Sequence, residues 1–81
     1  MKMLGGFIDK NTLDYLRKGY PVGARVKLLH MNDPYNTKLH PGCLGTVRLV
    51  DDMGTIHVSW DCGSGLGVVY GEDSCVVVKG E

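Results

Sequence analysis

The chain has 81 residues, nine Lys/Arg, nine Asp/Glu and no formal net charge, which confines it to one small domain and removes the positive field on which sequence-independent nucleic-acid binding depends. No run approaches the roughly 18 apolar residues of a membrane span, and the apolar N-terminal stretch is too short and glycine-broken for a secretory signal, so a cytoplasmic protein is expected. Three cysteines cannot complete an internal disulfide framework, and free thiols are the default in a reducing compartment. The charge is unevenly placed: residues 1–48 hold eight Lys/Arg and three acids, residues 49–81 one lysine and six acids.

Residues 1–8 read as an N-terminal extension, residues 9–19 as a helix, and residues 20–79 as the body of the same domain. For the helix, Asn11-Thr12-Leu13-Asp14 has the form of a capping box, with Asp14 in the first turn and Arg17-Lys18 in the last, as the helix dipole favours. Gly19 offers a left-handed stop and Pro21 follows it. Leu13 and Leu16 form one small apolar face, too little for a free-standing helix, so it is expected to lie on the rest of the domain.

Alternating apolar residues then mark short strands. The first is ARVKLLHM (24–31), followed by a polar loop over residues 31–43. GTVRLV (45–50) and TIHVSWD (55–61) flank an Asp51-Asp52-Met53-Gly54 hairpin turn. LGVVY (66–70) and SCVVVK (74–79) are separated by Gly71-Glu72-Asp73. Five short strands at this spacing suggest closure, which hides strand edges. The expectation is a mainly β fold, a five-stranded SH3-like barrel with one short N-terminal helix. Its expected core is Val26, Leu28, Leu44, Val47, Leu49, Ile56, Val58, Trp60, Leu66, Val68, Val76 and Val78, with the Trp60 indole the largest contributor.

The motifs Tyr20-Pro21-Val22-Gly23-Ala24-Arg25-Val26, Asp33-Pro34-Tyr35 and Pro41-Gly42 with Gly45-Thr46-Val47 carry a resemblance. So do the stretch from Asp51 to Asp61, Gly63-Ser64, Leu66-Gly67 and Gly71-Glu72-Asp73. Together they resemble a family of small SH3-like domains found in Gram-positive bacteria and on their phages and integrative elements. The resemblance spans residues 20–78 and the preceding helix, and it implies a fold and a setting rather than a reaction. The Trp60-Asp61-x-Gly63-Ser64 turn is also similar to that of mind-bomb-type recognition domains, which are peptide-binding barrels. In both families Asn is usual between the Asp and the Gly. Here that residue is Cys62, and Cys43 stands where the first family often has a small polar residue.

No nucleophile, base and orienting group share a recognisable spacing, and no glycine-rich loop opens a phosphate-binding helix, so no enzyme is expected. For metal, His40-x-x-Cys43 is a chelating spacing. Cys62 could join it if the 62–65 turn shares an end with the long loop, and His30 lies at the neck of that loop. His30, His40, Cys43 and Cys62 are therefore candidate zinc ligands, while Cys75 reads as a packed thiol. For binding, Tyr20, Tyr35, His57 and Tyr70 are the ring candidates for a peptide groove. The leading expectation is a protein-binding module of phage or mobile-element origin, with stoichiometric inhibition of a host defence nuclease (anti-CRISPR type) as one concrete form. The alternative is a nucleic-acid-binding accessory domain using Arg25, Lys27, Lys38 and Arg48, which the acidic second half disfavours.

Overall fold

In chain order the elements are α1 (Lys10–Gly19), β1 (Arg25–His30), β2 (Leu44–Val50), β3 (Thr55–Trp60), β4 (Val68–Val69) and β5 (Ser74–Val77). The structure is a computed structural model and describes residues 8–78. The expected extension therefore lies outside the described residues apart from Ile8, as does Lys79 at the end of the expected fifth strand. All strand pairings are antiparallel, in the spatial order β4-β3-β2-β1-β5. The fold is mainly β with one short helix, as the alternation predicts. Among the described residues the ladder is linear, and β4 and β5 do not pair with each other.

The helix N-cap lies two residues before the Asn11 cap that the sequence suggests. Asp9 is the N-cap, with extended backbone (φ −71, ψ 158) and no capping hydrogen bond from its side chain. Its carbonyl instead accepts the Leu13 N–H at 3.0 Å, and Asp14 falls beyond the first turn, which holds no acid. Gly19 is the last helical residue rather than a left-handed stop. Tyr20 closes the helix, its N–H donating to the Leu16 carbonyl. Arg17, in the last turn as expected, reaches across to the β2–β3 hairpin. It donates to the Val50 carbonyl at 3.3 Å and pairs with Asp52 at 2.7 Å.

The buried core consists of Leu16, Val26, Leu28, Leu39, Val47, Val50, Ile56, Val58, Trp60, Val68 and Cys75. Trp60 is 3 % exposed and its indole N–H donates to the Leu66 carbonyl at 2.8 Å, so its polar end is satisfied as burial requires. Three expected core residues are on the outside, and each has a local cause. A bulge in β2 shifts the register between the Val47–Val58 and Leu49–His57 pairs. One extra residue reverses the in–out phase, so Val50 turns inward and Leu49 outward. Leu44 stands opposite Lys27 on the outer face, while its neighbour Gly45 faces the interior. In β5 the Leu28–Cys75 pairing selects Cys75 for the core and leaves Val76, opposite Lys27, exposed. Leu66 and Val78 are half-buried.

The loop over residues 31–43 is held by short-range side-chain bonds. Asn36 accepts the Leu39 N–H at 2.9 Å and the Lys38 N–H at 3.2 Å, and its amide donates back to the Leu39 carbonyl. This arrangement drives Leu39 into the core at 2 % exposure. Asp33 likewise accepts the Tyr35 N–H two residues on, a bond by which Asx side chains organise turns.

Candidate functional site

Where a closed barrel would join β4 to β5, side chains take the place of a ladder. On the β5 side the Tyr20 hydroxyl donates to the Cys75 carbonyl at 2.9 Å. On the β4 side the Asp73 carboxylate accepts the Val69 N–H at 3.0 Å, and its other oxygen accepts the Asn32 N–H at 2.7 Å. One backbone group at each of these two edges is thus occupied by a side chain, a local means of blunting a free edge. An isolated bridge between Tyr70 and Asp73 marks the turn between the two strands.

α1 lies beside this seam and leaves an open groove of about 540 Å³. Tyr15, Leu16 and Tyr20 form its helix side, Ile56 and Val68 its floor, and His30 with the 70–75 segment the rest. Tyr15 is 69 % exposed and Tyr70 54 % exposed, so both rings present area to a partner, whereas Tyr20 is half-buried. Burial is the main cause that raises the Tyr20 phenol above its ordinary pKa of 10.0, with the neighbouring Cys75 thiol and Tyr15 hydroxyl adding to it. Burial also pushes the Cys75 thiol up to about 11. That thiol is a packed, protonated group at neutral pH and a poor nucleophile, as the sequence suggests.

Of the four ring candidates, the groove gathers Tyr20 and Tyr70. Tyr35 stands 89 % exposed on the long loop, outside the groove. His57 sits on the outer face of β3, where its ring meets the Asp51 carboxylate at 2.8 Å. The sequence singles out neither Tyr15 nor Glu72, and it places His30 with the metal candidates rather than in this groove. The available signal was the spacing of Leu16 and Tyr20, four residues apart on the same helix face. Tyr15 and His30 line the same groove only because α1 rests beside the seam, which no local pattern encodes.

Of the proposed metal ligands, His40 and Cys43 are neighbours. The His40 N–H points at the Cys43 sulfur at 3.5 Å, and the Cys43 N–H donates to the His40 carbonyl at 3.0 Å. The long loop and the 62–65 turn do share an end, since a Cβ on Gly63 would lie 3.9 Å from the Lys38 ammonium. Cys62 is exposed in that turn, Cys43 is half-buried against the core, and His30 belongs to the groove. Among the described residues no three His, Cys, Asp or Glu side chains gather as a metal set. Cys62, standing where the resembled families usually have Asn, a residue that tolerates left-handed backbone, does not itself adopt that backbone. The left-handed residue of the turn is Gly63, at φ 97, and no non-glycine residue among those described has a positive φ. Gly63 donates to the Trp60 carbonyl and Ser64 accepts the Trp60 N–H, so Asp61 and Cys62 are the central residues of a turn that Gly63 completes.

The four basic candidates for a nucleic-acid face are not equally available. Arg25 makes a forked pair with Asp61 at 3.0 and 2.5 Å and also donates to the Thr46 hydroxyl. The hydrogen bond from Arg25 holds the Asp61 carboxyl below its ordinary range. Lys27, Lys38 and Arg48 are exposed. No helix among the described residues is long and apolar enough to cross a membrane.

A family model described as a domain of unknown function (DUF4314) matches residues 9–78. No curated protein and no solved structure matches the chain.

Proposed function

The chain belongs to the family described as a domain of unknown function (DUF4314), and from the groove beside the β4–β5 seam we propose that it is a non-enzymatic protein-binding module. The observation that carries this reading is the convergence of Tyr15, Tyr20 and Tyr70 on one open groove of about 540 Å³. Tyrosine supplies large contact area for few rotatable bonds, and a groove bordered by two short strands suits an extended segment of a partner. Two of the three rings are more than half exposed, a state that association would relieve.

Nucleic acid is the weaker reading. The charged side chains that line the groove, Glu72 and Asp73, are acids that repel phosphate, and Arg25 is already paired with Asp61. The resemblance to SH3-like domains of Gram-positive bacteria and their phages extends the proposal to a cytoplasmic setting and a host protein as partner. Equimolar inhibition of a host defence nuclease is the form of activity this reading favours.

A photo-crosslinking phenylalanine analogue placed at position 70, and separately at position 35, tests the proposal in a host lysate. A discrete protein adduct from position 70 and none from position 35 is expected. Nucleic acid captured from either position, and released steeply as salt rises, contradicts it.

A further inference from the structure

We propose that the partner segment anchors in the groove through a cationic side chain, an arginine in preference to a lysine, seated against the faces of Tyr15 and Tyr70 and paired with Glu72. This rests on the reading of the groove as the partner site and names the chemistry that it selects.

Charge is the first argument. Glu72 and Asp73 are both acidic, and among the described residues no Lys or Arg lines the groove. Asp73 is held in place by the N–H groups of Asn32 and Val69, which position its negative charge at the seam. Among the described residues Glu72 makes no ion pair, and its side chain is exposed on the rim. One carboxylate is thus fixed by the fold and the other is available, whereas Asp52 and Asp61 are paired with Arg17 and Arg25.

Ring chemistry is the second. The Tyr20 hydroxyl is committed to the Cys75 carbonyl, so this residue meets an occupant with its ring and not with a free donor. A tyrosine face carries negative potential and attracts a guanidinium or ammonium within about 6 Å, worth about 0.5–1 kcal/mol at an exposed site. Arginine is preferred because its planar fork both stacks on a ring and pairs with a carboxylate, whereas an ammonium is a strongly hydrated point charge. A segment carrying Asp or Glu at the same position meets two like charges.

The test uses isotope-labelled protein and three acetylated, amidated pentapeptides that differ only at the central residue: Arg, Leu or Glu. With the Arg peptide, the amide signals of Tyr15, Tyr70, Glu72 and Ser74 should move. Its Kd should be about threefold or more below that of the Leu peptide, a factor that corresponds to the cation–ring energy above. Glu72→Gln, on the exposed rim, should narrow that preference by removing the carboxylate partner, and Tyr70→Ala should erase most of what remains. A Leu peptide that binds the groove as tightly as the Arg peptide overturns the cationic anchor and leaves the groove reading standing. Shifts confined to other surfaces, or none with any peptide, overturn both.

Discussion

The hydroxyl of Tyr20 donates to the carbonyl of Cys75 at 2.9 Å, joining the residue that ends α1 to the free edge of β5 across 55 positions of sequence. That bond positions the helix beside the seam and so shapes the groove. Tyr20→Phe leaves a part-buried carbonyl without its donor and should cost about 1 kcal/mol, read as a lower urea midpoint at unchanged m. The phenol's raised pKa gives a second readout. Because folding favours its protonated form, the associated stability is complete below pH 10.0 and is lost as pH rises through the higher folded value. An ultraviolet titration should show one late tyrosine in the native protein, absent from Tyr20→Phe.

Acid should loosen a different corner. Partial burial pushes the Asp51 carboxyl up. The bond from His57, the N–H groups of Thr55 and Met53, and the His57 charge outweigh it and hold the pKa below the ordinary 3.8. A depressed carboxyl stabilises the fold above its unfolded pKa, and that contribution is lost as pH falls through the folded value. Protection factors of the amides in the 51–55 turn, corrected for intrinsic exchange, should therefore fall below about pH 4, near the ordinary carboxylate pKa. In Asp51→Asn the turn should be less protected already at neutral pH, with little further loss of protection on acidification.

Close approach explains one glycine. A Cβ at Gly45 would lie 2.6 Å from Val58 Cγ1, 2.8 Å from Trp60 Cε3 and 2.9 Å from the Ser59 carbonyl, so Gly45→Ala should destabilise by about 1–3 kcal/mol through overpacking. Gly65 has open space around the same position and no positive φ. Gly65→Ala, measured in the same denaturation series, should stay within about 0.5 kcal/mol of the parent.

The 60–64 turn separates cysteine from glycine. Cys62 is exposed with ordinary backbone, whereas Gly63 is left-handed. Cys62→Ser should leave stability within about 0.5 kcal/mol, while Gly63→Ala should cost about 1 kcal/mol or more because a Cβ is disfavoured at that backbone. Thermal melting of the two variants checks both expectations.

Strands were legible because apolar alternation and turn chemistry agree: Val26 and Leu28, then Ile56, Val58 and Trp60, all face the core as read. The errors are errors of phase. Nothing in GTVRLV announces the bulge that exchanges Leu49 for Val50, and SCVVV offers two equivalent faces until Leu28 pairs with Cys75. Leu39 was unreadable for another reason, since a loop residue is drawn inward by Asn36 rather than by any period. The groove was half legible. Tyr20 and Tyr70 are conspicuous as rings, but their association with Tyr15 and His30 depends on where a ten-residue helix comes to rest.

The central claim is that the groove, and not the long loop, binds the partner. The most direct measurement is the calorimetric Kd of the captured partner for Tyr70→Ala and for Tyr35→Ala, each beside the parent protein. Truncating an anchoring ring should weaken binding about tenfold or more, as hot-spot tyrosines do, so Tyr70→Ala should show that loss while Tyr35→Ala stays within about twofold. Loss of affinity in Tyr35→Ala with parent-like binding by Tyr70→Ala would contradict the account.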